Sequence, residues 1–414
     1  MTSVNPYEEL ERWIDAHRTG QIDFLRELVR VPSDTPPGDN APAAEKAATL
    51  ITRLGFAVER HPVPQAFLRD YGMQSVTNLI VRHRFGDGGP TVALNAHGDV
   101  VPPGEGWTKP PYEAVIENGR MYGRGVAVSK SDIASYTYAL AALRALQAAG
   151  AQLRGTVELH FTYDEEFGGF AGPGFLLSHK LTKPDLALAA SFSYSVVTAH
   201  NGCLQLEVTI HGKSGHGAMP ETGRDAFRAG NAVLNALYTE ADALKAKKSE
   251  VKGIDHPTMI VGLMHGGINT NVVPDRLTFR MDRRMTPEED PAVVESRLRS
   301  LIEGAVASRD GIRVEIRRLL LANALKPLPG HEKLVGVIQR HAKRVFGEEI
   351  AAVGTPLYAD ARLYGERGIP IVMYGAGPRT IAESNAKRPD ENLLLEDLRR
   401  ATQVVACAVH DLLR

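Results

Sequence analysis

The residues best suited to chemistry gather in a few short stretches. His97-Gly-Asp99 sets an imidazole and a carboxylate two positions apart. On an extended segment such residues point the same way. The acid can then orient the ring and fix its tautomer; a loop histidine beside a capping aspartate fits the same residues. Asp164-Glu165-Glu166 puts three carboxylates in a row, and their mutual repulsion calls for a positive group nearby. That pattern suits a general base beside a cation-binding carboxylate, or an acidic exposed turn. Residues 123–132 form a glycine-rich turn opening a helix, where anions are favoured. There Ser129 and Lys130 could contact substrate or form a Ser–Lys nucleophile pair, with Ser131 as a second hydroxyl, though serine and aspartate also cap helices. Asn385-Ala-Lys387-Arg388-Pro-Asp390-Glu391 reads by itself as a charged capping loop. Two Gly/Pro turns carry His216 and Asn271, which act only if a partner loop brings them to a site.

The elements that position these residues alternate between strand and helix. Apolar residues at three- and four-residue steps predict helix over 7–30, broken at Gly20, and again over 42–54. Strands are predicted at Phe56–Arg60 and Thr77–Arg82. Thr91–Ala96 and Thr156–Thr162 read as strands buried on both faces. Between these two lies a long amphipathic helix, Ser131–Ala149. The first and second chemical stretches thus follow directly after buried strands, where open α/β sheets place their sites. Near residue 200 the pattern changes. Cys203–His211 alternates apolar and polar, as a strand with one exposed face. A helix over 225–245, strands at Met259–Met264, Arg276–Arg283 and Ile312–Arg318, and a helix over 290–307 follow. Beyond Pro327 come helix 331–345, strands near Ala351–Val353 and Ile369–Tyr374, and a last helix over 393–413. The expected fold class is α/β: a parallel-rich sheet with helices on both faces, interrupted by a two-layer α+β module.

Composition narrows the function. Lys and Arg number 48 against 49 Asp and Glu, a net charge of −1. No basic field is available, so nucleic acid is not an expected partner. Two cysteines, Cys203 and Cys407, exclude a disulfide scaffold and suit a reducing cytosol. The N-terminal stretch lacks the apolar core of a signal peptide. No apolar run is long enough to span a membrane.

Taken together and in order, the motifs resemble the di-zinc exopeptidase and deacylase family of acetylornithine deacetylase, succinyl-diaminopimelate desuccinylase, aminoacylase and glutamate carboxypeptidase. They are His97-Gly-Asp99-Val-Val-Pro102, Trp107–Tyr112, Tyr122-Gly-Arg-Gly125, Asp164-Glu-Glu166, Gly212–His216, Asn271–Asp275 and Asp282-Arg-Arg284. The resemblance implies a catalytic domain over 1–199 and 319–414, and a lid over 200–318 through which the family usually dimerises. It also implies roles. His97 matches a zinc ligand, Asp99 the acid that orients it, Glu165 the general base and Glu166 a ligand of the second zinc. His216 matches the lid histidine that stabilises the oxyanion, and Asn271 and Arg284 match lid residues that contact the substrate.

At three of the five expected metal-ligand positions the chain departs from that pattern. Val128 stands where the family has the bridging aspartate. Ser191 stands where it has an acidic ligand, and Lys387 where it has the last histidine. Valine has no lone pair to offer, serine is a poor zinc ligand and a protonated lysine cannot coordinate. Asp132, Asp164 and His160 are conceivable substitutes, but nothing in the sequence gives them the geometry. The Lys387 ammonium could instead stand where a zinc stood, balancing Glu165 and Glu166. At about 4 Å such a pair is worth about 4 kcal/mol before desolvation is subtracted.

The expected activity is hydrolysis of an amide-type bond in a small carboxylate-bearing molecule, with no cofactor. Glu165 would activate water; Lys387, His216 and backbone N–H groups would stabilise the oxyanion; Arg284 would meet the carboxylate. A zinc-dependent enzyme, or one using another divalent metal with recruited ligands, is the first alternative. A non-catalytic ligand-binding relative is the second.

Overall fold

The computed structural model describes residues 5–69 and 71–414. Its first unit comprises residues up to Thr198, Pro327–Val353 and Ala359–Arg414. An eight-stranded sheet, nearly all of it in this unit, has the order Glu59–Pro62, Thr77–Gly86, Gly155–Thr162, Thr91–His97, Leu186–Ala189, Ile371–Met373, Ser195–His200, Ala351–Thr355. Thr91–His97 runs parallel to the strands on both sides of it, and Ile371–Met373 continues that direction. The pairings of Glu59–Pro62 with Thr77–Gly86, of Thr77–Gly86 with Gly155–Thr162, and of Ile371–Met373 with Ser195–His200 are antiparallel. The sheet is therefore mixed, with a parallel centre. In Thr91–His97 every residue after the first is buried. Consecutive side chains point to opposite faces, so both faces are covered by helices.

The helix Lys130–Ala148 is not amphipathic as its pattern suggests, because every residue from Lys130 to Leu143 is buried. Helices Pro6–Ala16, Arg18–Val29 and Leu395–Leu413 pack around it. The break in the N-terminal helical stretch falls at His17, not Gly20. The His17 ring stacks on Trp13, with centroids 3.8 Å apart. Gly20 stays helical and lets the chain approach Tyr138, whose hydroxyl would lie 3.0 Å from a Cβ there.

The second unit comprises Ala199–Lys326 and Gly354–Tyr358, so it reaches past residue 318 and takes in a short later segment. Four antiparallel strands lie in the order Thr258–Gly266, Arg276–Met285, Gly202–His211, Arg313–Ala322. Leu204, Leu206, Val208 and Ile210 point from the central strand into a core. Val233 and Leu237 of helix Ala226–Leu244 and Leu298 and Ile302 of helix Pro291–Gly304 complete it. Asp225 and Asp290 cap those two helices by accepting backbone N–H groups. Among the described residues, no helix is long and apolar enough to cross a membrane.

Candidate active site

Strand Thr91–His97 ends at the first candidate residue, and His97 is buried. Its Nδ1 lies 3.0 Å from the Asp99 carbonyl oxygen and 3.3 Å from Asp99 Oδ1. Both are acceptors, so Nδ1 carries a proton that it donates to them. Burial disfavours the charged ring. The Asp99 hydrogen bond and the Glu165 carboxylate outweigh it and raise the histidine to about 10. Asp99 Oδ2 accepts the Glu166 N–H at 3.0 Å, joining the end of this strand to the acidic loop after Gly155–Thr162.

That loop opens with Asp164 and turns through a short 3₁₀ segment, Glu165–Phe167. The Lys387 ammonium reaches it from the C-terminal loop. Lys387 Nζ donates to Glu166 Oε2 at 2.7 Å and stands 4.0 Å from Glu165 Oε2. Burial opposes the ammonium, but Glu165 and Glu166 raise its pKa well above the usual lysine value. A cation thus sits against the two carboxylates, with about half of its side chain exposed.

The sequence did not single out Asp360, which nevertheless belongs to this cluster. It is 5% exposed and neither of its carboxyl oxygens has a hydrogen-bond partner. Burial, then the nearby Glu165 charge, raises it to about 8. Asp164 gives Oδ2 to the Ala171 N–H at 2.6 Å and is raised by burial and by Asp360. The signal available for Asp360 was its place in the loop after strand Ala351–Thr355, which carries no motif of its own.

The donor set does not match a pair of zinc ions. At the positions where the resemblance expects ligands, Val128 and Ser191 offer an apolar and a weakly coordinating side chain, and Lys387 a charge of the metal's own sign. Two of the conceivable substitutes, His160 and Asp132, are engaged elsewhere. His160 bonds Glu158 and the Tyr364 hydroxyl, at 2.9 and 2.8 Å. Asp132 accepts the Ala376 N–H at 2.6 Å, and burial raises it to about 7. Among the described residues, no three His, Cys, Asp or Glu side chains are arranged to hold one metal ion.

The structure does not bring Ser129 and Lys130 together as a Ser–Lys pair. Ser129 Oγ donates to the His97 carbonyl at 2.8 Å and accepts the His97 N–H at 3.0 Å. The hydroxyl therefore straps the end of the strand and has no proton for a base beside it. Lys130 Nζ points elsewhere, to the Val31 carbonyl at 2.9 Å, and burial lowers it to about 8. Both residues are buried. Sequence neighbours at a helix start point in different directions. Ser131 is fully buried as well.

The Lys387 loop is fastened where the sequence suggested only a cap. Glu391 accepts Arg124 Nη1 at 2.6 Å and the Ala127 N–H at 3.1 Å. Strand Asn392–Leu394 then pairs with Arg120–Tyr122.

His216, Asn271 and Arg284 belong to the second unit. Strands Gly215–His216 and Val272–Val273 pair antiparallel, and Gly217 N–H donates to Asn271 O at 2.8 Å, so His216 and Asn271 adjoin. Arg284 stands apart on strand Arg276–Met285. Its Nε donates to Asp282 Oδ1 at 2.7 Å, and its guanidinium lies 5.1 Å from the Tyr358 ring centre. Asp282 is held in turn by Gln205 Nε2 at 3.0 Å.

Comparison with known proteins agrees with this architecture. The sequence model of peptidase family M20/M25/M40 matches residues 93–411. An acetylornithine deacetylase of Myxococcus xanthus is 28% identical over 389 residues, 93% of this chain and 95% of that protein. The Saccharomyces cerevisiae dipeptidase Dug1p shares the fold, with a TM-score of 0.79 at 14% identity over 98% of both chains. So does the Bacillus subtilis protein YXEP, described as a dinuclear metal-binding M20 peptidase, with a TM-score of 0.66 at 18% identity over 96% of this chain and 99% of that one. The chain belongs to peptidase family M20/M25/M40 and is a hydrolase.

Proposed function

We propose that the protein hydrolyses an amide bond in a small carboxylate-bearing substrate, an N-acyl amino acid or dipeptide-like compound, without a two-metal centre. The observation that carries this reading is the Lys387 ammonium 2.7 Å from Glu166 and 4.0 Å from Glu165. Glu165 takes a proton from water as the water attacks the carbonyl carbon, and passes it to the leaving nitrogen. Lys387 and backbone N–H groups stabilise the negative charge that develops on the carbonyl oxygen. His216 adds to that stabilisation, Asn271 contacts the substrate, and Arg284 receives its carboxylate. The kinship with an acetylornithine deacetylase supports an acylated amino acid as substrate.

Metal analysis of the purified protein together with a panel of N-acyl amino acids and dipeptides tests this. The expected result is less than one equivalent of Zn, Mn or Co per chain, turnover unaffected by EDTA, and a loss of about 10²–10⁴-fold in Glu165→Gln. Inactivation by EDTA with rescue by zinc refutes it. The unpartnered oxygens of Asp360, with Asp164 Oδ1, favour one second reading: a divalent ion recruited by carboxylates in place of the family's ligands. The same metal analysis separates the two.

The second unit supports self-association. Its edge strand Thr258–Gly266 exposes Ile260 (59%), Leu263 (48%) and Met264 (56%), with Ile268 (76%) just beyond. An apolar edge with unpaired backbone groups invites a second strand, and we take its occupant to be a second copy of this chain. A reducing cytosol suits the buried, unpaired thiols Cys203 and Cys407.

A further inference from the structure

Within six positions the C-terminal loop holds three non-glycine residues with left-handed backbone: Asn385 (φ 50°), Lys387 (φ 61°) and Asp390 (φ 55°). Asparagine and aspartate tolerate this region because their side chains bond locally. A lysine gains nothing from it, so its backbone stays there only when the surroundings hold it. The hold is visible. Asp390 Oδ1 accepts the Thr108 and Lys109 N–H groups at 2.9 and 3.1 Å, and Oδ2 accepts Thr108 Oγ1 at 2.8 Å. Asn392 Nδ2 donates to the Asp390 carbonyl at 3.0 Å, and Arg388 N–H donates to Asn385 O at 2.8 Å. Against a burial that opposes it, the bonds from Thr108 and Lys109 lower the Asp390 carboxyl below the usual carboxylate range.

We propose that Asp390 is the positioning residue for Lys387: its carboxylate fastens residues 385–391 to the backbone of Thr108 and Lys109 and so fixes where the ammonium meets Glu165 and Glu166. Released from that fastening, Lys387 returns to a right-handed or extended backbone, and its Cα–Cβ direction swings away from the acidic pair. Asp390 has no bond of its own to either glutamate, so it acts only through the lysine. The inference rests on Lys387 as the working cation of the site, but it concerns the placement of that residue and is tested apart from the reaction.

The test is chemical footprinting of the intact protein. Lys387 is acetylated with an N-hydroxysulfosuccinimide acetate ester, and its modification rate is read by peptide mass spectrometry in the wild type, Asp390→Ala and Asp390→Asn. Lys245 and Lys343, exposed at 68% and 65%, are internal references. Asp390→Ala is expected to speed Lys387 labelling roughly 5-fold as the ion pair opens, with the references unchanged. Asp390→Asn suits a left-handed backbone and keeps an acceptor for the two N–H groups. It is expected to stay within about 2-fold of the wild type. Equal rates in all three proteins, an Asn variant as fast as the Ala variant, or acceleration shared by the references overturns the assignment. Zinc in the purified protein would instead sink the reading of the reaction, and that result comes from a different measurement.

Discussion

Asp360 shows what burial does to a carboxyl group that finds no partner. Raised to about 8 in the folded chain, against about 3.9 for an exposed aspartate, it keeps its proton where the unfolded chain has lost it. Between about pH 4 and pH 8 the folded state therefore binds more protons than the unfolded state, and stability falls as pH rises through that window. Asp360→Asn mimics the protonated acid. Urea denaturation at pH 5 and pH 8 should show the wild type losing about 2–4 kcal/mol over that interval and the variant clearly less; identical losses in both proteins would remove Asp360 as the source. The same residue marks a limit of sequence reading. Nothing in Tyr358-Ala-Asp360-Ala-Arg362 sets it apart from any loop acid, because its role comes from the Glu165 and Asp164 side chains that folding brings to it. Lys387 was legible only by counting back from Glu391 against a known pattern. The Ser129 and Lys130 side chains diverge, because adjacency in sequence carries no side-chain direction.

Elements were more legible than residues, for a physical reason. Thr91–Ala96 and Thr156–Thr162 announced themselves because a strand covered on both faces has nowhere to put a charge without a partner. Leu186–Ala189 and Ser195–His200 went unread, being short and set among loop residues that give no period. The acidic loop shows how closely elements must approach to build the site. Gly169 has φ 75°, and a methyl group there would collide with Asp360 Oδ1, while Gly368 has φ 74° and open space around it. Both substitutions to alanine carry the left-handed backbone cost, but only the first adds a collision. Gly368→Ala should cost about 1–2 kcal/mol, and Gly169→Ala about 2–5 kcal/mol with loss of activity. Equilibrium unfolding of the two variants measures the difference, and equal costs would mean the contact with Asp360 relaxes freely.

At the scale of the whole molecule, the near-zero net charge of −1 gives no repulsion to keep copies apart. The exposed Ile260, Leu263 and Met264 give them a reason to meet. Light scattering should report twice the 45.0 kDa of one chain at micromolar concentration, and Ile260→Asp with Met264→Asp should return the single-chain mass. A wild-type protein that scatters as one chain would end the self-association reading. The division of the chain has a further consequence. The backbone leaves the first unit after Thr198, comes back at Pro327, and departs again for Gly354–Tyr358. No single cut-out of the gene can therefore encode either unit whole. During synthesis, a ribosome that has finished residue 326 has still not supplied Tyr358, the ring that lies by Arg284. The middle portion of the protein must wait for the short late segment Gly354–Tyr358, and a fragment ending at Lys326 should emerge with Arg284 missing its aromatic neighbour.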